Sequence, residues 1–169
     1  VGRREGLGDI LAEGVREAAR IIGKGSEAYA VHMKGLEPPA YDPRGAKANG
    51  LAYATSNMGA NHNIGYCKQE IFNIPDPRPV NRYADGGFAD VVMFNQDETA
   101  MYEVGIVCLF PTLLGMMNHS HFLRMMSAVT GVPEFGDKKY LFKVGERIYN
   151  LERLINIRAG LTRKDDGYP

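Results

Sequence analysis

The chain has no tryptophan, only two cysteines and no excess of either charge: twenty Lys plus Arg stand against twenty Asp plus Glu in 169 residues. Each shortage excludes something. Balanced charge leaves no basic face for a phosphate backbone, so no nucleic-acid partner is expected. Cys67 and Cys108 are too few for a disulfide framework, and a reducing cytoplasm is the simpler setting. No apolar run reaches the ~18 residues a membrane span requires. The best stretch, Val104 to Met117, is broken by Gly105, Pro111 and Gly115, so no membrane association is expected. No secretory signal opens the chain. It starts Val1-Gly2-Arg3-Arg4, without Met, and stops on a polar tail from Arg163 to Pro169, so both ends read as cuts in a longer protein.

What is present is an ordinary globular balance, 44% hydrophobic and 24% charged, in a length that supports a real core. Helical periodicity dominates. Leu11, Val15, Ala18 and Ile22 recur at steps of 4, 3 and 4, with Asp9 placed as N-cap and Gly23 and Gly25 as punctuation. A second helix is predicted from Asp90 to Cys108, with Pro111 as its stop, and a Met-rich third from Met116 to Val129. The clearest is Lys138 to Arg158, where Leu141, Val144, Ile148, Leu151 and Ile155 share one face. Asp137 is its expected cap, and Gly160 its left-handed C-terminal residue. Ala46 to Ser56 reads as a further helix ended by Gly59, and Ala28 to Lys34 as one short strand. Two Pro/Gly-rich stretches, Leu36 to Arg44 and Asn73 to Gly87, resist regular structure, and loops of that length are often functional. The expected fold is all-α: an irregular domain of five or six helices joined by long Pro/Gly-rich loops.

Few residues offer chemistry. His62 lies outside any apolar stripe, in a turn-like stretch, and an imidazole exchanges a proton near neutrality. An isolated histidine in such a place is more often a surface or capping residue. Cys108 in an apolar helix reads as a small core residue. Glu103 reads as an exposed helix acid. Asp42-Pro43-Arg44-Gly45 reads as a turn in which Asp42 and Arg44 pair or one of them meets a cofactor phosphate, with a structural role, a buttress for the loop, favoured. Asn118-His119-Ser120-His121 reads as a helix start with solvated histidines, because residues two apart do not face each other. Cys67 is taken as an ordinary thiol. Met116, Met117, Met125 and Met126 read as core filler or a docking face.

Two segments carry a resemblance. One runs from Ala40-Tyr41-Asp42-Pro43-Arg44-Gly45-Ala46-Lys47 to Ala54-Thr55-Ser56-Asn57-Met58-Gly59-Ala60-Asn61-His62. The other is Gln96-Asp97 followed by Glu103-Val104-Gly105-Ile106-Val107-Cys108-Leu109-Phe110. Gly6-Leu7-Gly8-Asp9 and Lys143-Val144-Gly145-Glu146-Arg147 flank them in matching order. The chain thus resembles the C-terminal helical region of the aldehyde:ferredoxin oxidoreductases. Residues 1–66 would be the first helix, the proline loop and the His62 segment, and 88–169 the helical part with Cys108. The resemblance implies a tungsten (or molybdenum) bis-pterin and a [4Fe–4S] cluster in the full-length enzyme, with none expected in the isolated fragment. It implies oxidation of a small aldehyde to a carboxylic acid, with electrons passing to ferredoxin. An upstream domain of the same polypeptide would be the main partner, and a homodimer is left open. By the same resemblance His62 would assist proton transfer. Glu103 and Val107 would adjoin the cofactor, and Cys108 would be the fourth cluster ligand. The family motif is written Asp-x-x-Gly-Leu-Cys; here Glu replaces the acid and the glycine stands one position early. Two alternatives stay open: a subunit of the aromatic acyl-CoA reductase type, and a helical interaction module without a cofactor.

Overall fold

The computed structural model describes residues 2–168, which are helical and include no strand. The expected opening helix is two. α1 (Leu7–Leu11) and α2 (Val15–Ile22) are parted at Gly14, whose φ of 83° no right-handed helix permits. Asp9 is not a cap: it lies inside α1 and accepts from Arg4 Nε at 2.8 Å. Gly23 closes α2 as expected. The Ala28–Lys34 strand does not form. A 3₁₀ turn (Ser26–Tyr29) leads to a single bridge between Met33 and Leu36. Lys34 and Gly35 both have positive φ, the pattern of a tight hairpin turn, so the chain folds back before a strand extends.

After the proline loop comes α3 (Lys47–Thr55), then the short α4 (Lys68–Ile71), the second long loop, and α5 (Ala89–Val104). α5 stops short of Cys108. Pro111 does not stop a helix; it occupies the first turn of α6 (Leu109–Leu113), where its missing N–H has no partner to lose. α7 (His119–Thr130) begins with Asn118 Oδ1 accepting from the His121 N–H at 3.0 Å. α8 (Lys138–Arg158) keeps the expected bounds, with Asp137 capping at 3.0 Å and Gly160 following at φ 102°. Eight α-helices among the described residues exceed the expected five or six. The additions are four- and five-residue pieces, too short for periodicity to register.

α5 is the hub. Val91 and Val92 meet Ala48 and Ala52 of α3 and Cys67 in one core, while Met101 and Tyr102 meet Phe122, Leu123 and Leu141 in another. α8 crosses α5 at Gly145, where a Cβ would lie 2.1 Å from the Asp97 carbonyl oxygen; only glycine allows that approach. The C-terminal residues are not a loose polar tail. Asp166 takes Lys34 Nζ and Arg153 Nη1, each at 2.8 Å, and the Tyr168 hydroxyl donates to the Gly50 carbonyl. Among the described residues no helix is long and apolar enough to cross a membrane.

Candidate functional site

His62 is held by turn chemistry rather than by a helix. Gly59, at φ 111°, lies so close to the Met33 carbonyl that a Cβ would approach it to 2.6 Å. Two residues on, Asn61 Oδ1 accepts from the Asn63 N–H at 2.9 Å and closes a small turn around His62. The half-buried imidazole sits 5.8 Å from both Tyr41 and Tyr66, whose rings meet edge to face at 5.6 Å. Loss of solvent in this aromatic setting lowers the His62 pKa. The ring is therefore neutral at pH 7 and has a lone pair free to take a proton. Tyr41 is presented by the proline loop. There Arg44 Nη2 meets Asp42 Oδ2 at 2.6 Å and holds that carboxyl down to about 2. Of the two readings of Asp42 and Arg44, their pairing is the one the structure contains.

The turn carrying Cys108 has a defined geometry. At the end of α5 the Ile106 N–H donates to the Glu103 carbonyl at 2.9 Å, and the Val107 N–H to the Tyr102 carbonyl at 3.3 Å. These are the paired bonds of a Schellman cap, which places its following residue in the left-handed region. That residue is Ile106, at φ 54° and 94% exposed. Cys108 is not in an apolar helix and is not a core residue. It is the exposed N-cap of α6, in extended conformation. Cys67 is the opposite: it is fully buried, its thiol donates to the Gly65 carbonyl at 3.4 Å, and burial with nearby Glu70 pushes it up to about 12. Glu103 is exposed on the last turn of α5, and its carboxyl has no hydrogen bond among the described residues. Partial burial of its carboxyl and the neighbouring Glu152 carboxylate raise its pKa. Val107 packs half-buried against the second core, so its side chain faces inward.

No hydrogen bond, ion pair or ring contact joins His62 to Glu103, Val107 or Cys108 among the described residues. What connects the two groups is the docking of the His62 segment on α5 and α8. Gln96 Nε2 donates to Thr55 Oγ1 at 2.9 Å, and Asn57 Nδ2 donates to the Tyr149 carbonyl at 2.8 Å and to Glu152 Oε2 at 3.2 Å. Asn57 Oδ1 is buried with no partner, a feature sequence reasoning passed over although Asn57 lies in the quoted motif. An outward thiol and an unbonded carboxyl are the right kinds of group for an iron ligand and for ring N–H donors. They fit one wall of a pterin and cluster site; three further cluster ligands have no candidates in this chain.

A second cluster was missed. His119 is not solvated: its Nε2 lies 2.7 Å from Glu98 Oε1, and Asp76 completes a group whose ligand-type atoms fall within 4.8 Å. Lys68 Nζ sits on both Glu98 oxygens, at 2.7 and 2.8 Å, so an ammonium already occupies the place of a cation. Burial alone would raise the Glu98 carboxyl, but the His119 hydrogen bond and the Lys68 charge outweigh it and hold the pKa low.

The family model described as aldehyde ferredoxin oxidoreductase, domains 2 and 3, matches residues 1–169. The chain is 41% identical over 172 residues to a tungsten-containing aldehyde ferredoxin oxidoreductase of Pyrococcus abyssi, covering all of this chain and 27% of that protein. The protein of the same name from Pyrococcus furiosus is 39% identical, again over 27% of its length. An aliphatic sulfonate oxidoreductase, WOR-like subunit, from the same organism is 29% identical over 177 residues, covering 98% of this chain and 24% of that protein. The chain therefore spans about a quarter of the curated relatives it matches.

Proposed function

The chain belongs to the aldehyde ferredoxin oxidoreductase family, as its domains 2 and 3, and from that membership we propose that it is the helical wall of a tungsten-pterin, iron–sulfur enzyme oxidising aldehydes to carboxylic acids. The remaining walls belong to the rest of the polypeptide. The observation that carries the reading is the contrast between the two thiols: Cys108 is exposed on a rigid turn, while Cys67 is sealed and held protonated. When bound, the cofactors supply two-electron oxidation, with water as the oxygen source and ferredoxin as the electron outlet.

The chain's own residues have separate tasks. Cys108 offers one thiolate to the cluster, and an unpaired exposed thiol suits the reducing cytoplasm. The Glu103 carboxylate accepts from N–H groups of the pterin. The Val107 side chain is committed to the core, so its contact falls to the main chain. Neutral His62 takes a proton as water attacks, a general-base role that its apolar setting favours at pH 7.

In the full-length protein, Cys108→Ser is expected to lose the electron paramagnetic resonance signal of the reduced cluster. His62→Ala is expected to keep tungsten and lose about 10²-fold or more in turnover. Full activity of His62→Ala, or an unchanged cluster signal in Cys108→Ser, would falsify the corresponding role. Assays with aldehydes, aromatic acyl-CoA esters and aliphatic sulfonates separate this reading from its neighbours in the family.

A further inference from the structure

The buried ionic cluster is not used by the proposed chemistry, yet it adjoins the turn that carries Cys108. Glu98 of α5 binds Lys68 of α4 and His119 of α7 together, and the side chains of Glu98 and Lys68 are 8% and 10% exposed. The His119 ring is set among aromatics. It lies parallel to Tyr102, at 3° and 6.1 Å between centroids, and meets Phe142 nearly edge-on at 5.4 Å. A recess of about 190 Å³ lined by Glu98, His119, Thr112 and Leu113 extends to α6.

Tyr102 is the joint between this cluster and Cys108. Its ring is stacked on His119, and its carbonyl accepts from the N–H groups of both Gly105, at 3.0 Å, and Val107, at 3.3 Å. Phe122 of α7 meets the Tyr102 ring at 4.8 Å. It also fills the space a Cβ on Gly105 would need, with Cε2 only 2.6 Å from that position. Apart from the Ile106 bond to the Glu103 carbonyl, the supports described for the turn thus run to α7 or to Tyr102, and the polar contact fixing α7 against α5 is Glu98 with His119.

Resting on the reading of Cys108 as a cluster ligand, we propose that Glu98 and His119 are positioning residues for that thiolate. A buried polar contact contributes little net stability, because desolvation offsets the attraction; what it fixes well is register. Here the register is that of α7 along α5. A slip there moves Phe122 under Gly105, tilts the Tyr102 peptide and re-aims the sulfur. Lys68 keeps the Glu98 carboxylate charged and oriented.

The test uses the full-length holoenzyme and variants Glu98→Gln, His119→Ala and His119→Gln, the last keeping an N–H donor near the position of Nε2. The readouts are the g-values of the reduced cluster, the rate of iron release to a chelator, and tungsten content. Glu98→Gln and His119→Ala are expected to shift the g-values and speed iron release roughly tenfold, the low end for loss of an outer-shell partner, with tungsten unchanged. His119→Gln is expected to restore both. Wild-type g-values and release rates in folded Glu98→Gln and His119→Ala overturn the proposal. If His119→Ala does not fold, Glu98→Gln and His119→Gln decide: an altered first and a wild-type-like second support it, and any other pattern overturns it. Cys108→Ser serves as the control: if it keeps the cluster, the ligand reading itself fails whatever the Glu98–His119 contact does.

Discussion

Ile106 holds a backbone conformation that suits glycine. A β-branched residue in the left-handed region is costly, of the order of 1–3 kcal/mol, and persists only where its surroundings dictate it. Here the Schellman bonds on either side dictate it. Its side chain, 94% exposed, gains nothing in return within this chain. Ile106→Gly should therefore stabilise the full-length protein by about 1 kcal/mol after the entropic penalty of glycine, read as a higher denaturant midpoint at unchanged slope. No gain would mean that Ile106 is packed against the rest of the polypeptide. The displaced glycine of the family motif gains a physical meaning. Residue 106 is where the backbone asks for glycine, and Gly105 is held in place separately by Phe122.

Among the elements, α8 was legible from sequence to the residue, because a stripe over twenty-one residues, a capping Asp and a trailing Gly all agree. α3 was legible from composition instead, since Ala, Leu and Tyr fill the stretch from Ala46 to Ser56. The end of α5 was not. Residues 104–110 continue an apolar pattern, while a left-handed residue, which pattern does not reveal, ends the helix. That error hid the exposure of Cys108. His119 was misjudged because its partner, Glu98, is 21 positions away and no local spacing signals it. Conversely, the Asp42–Arg44 pair was legible because it is local. Gly145 could not be singled out by pattern, yet it sets how closely α8 approaches α5. Gly→Ala inside a helix ordinarily gains ~1 kcal/mol. Here the added methyl meets the Asp97 carbonyl at 2.1 Å, and overpacking of 1–3 kcal/mol or more should reverse the sign. Gly145→Ala is expected to lower the thermal midpoint; a raised midpoint would show that the helices part easily.

For the molecule as a whole, that close crossing leaves a titratable mark. Burial between the helices, together with Glu146, raises the Asp97 carboxyl from 3.8 to about 6. The folded state therefore holds this proton more tightly than the unfolded state. Its contribution is fully present below pH 3.8 and is lost as pH rises to about 6. Asp97→Asn should remove that loss, so its stability relative to wild type should climb between pH 4 and 6 and level off above; denaturation curves across that range would check it, and a flat difference would place Asp97 in contact with water. The helical architecture itself followed from composition and periodicity, whereas the proposed site, as one wall of a larger one, would take its meaning from the rest of the polypeptide. The contact of Lys34 with Asp166 has one more consequence. It closes most of the polypeptide into a single ring across the α3 and α8 supports. A protease cutting the long Asn73–Gly87 loop would open that ring without freeing either arc, so nicked protein should still migrate and work as one body.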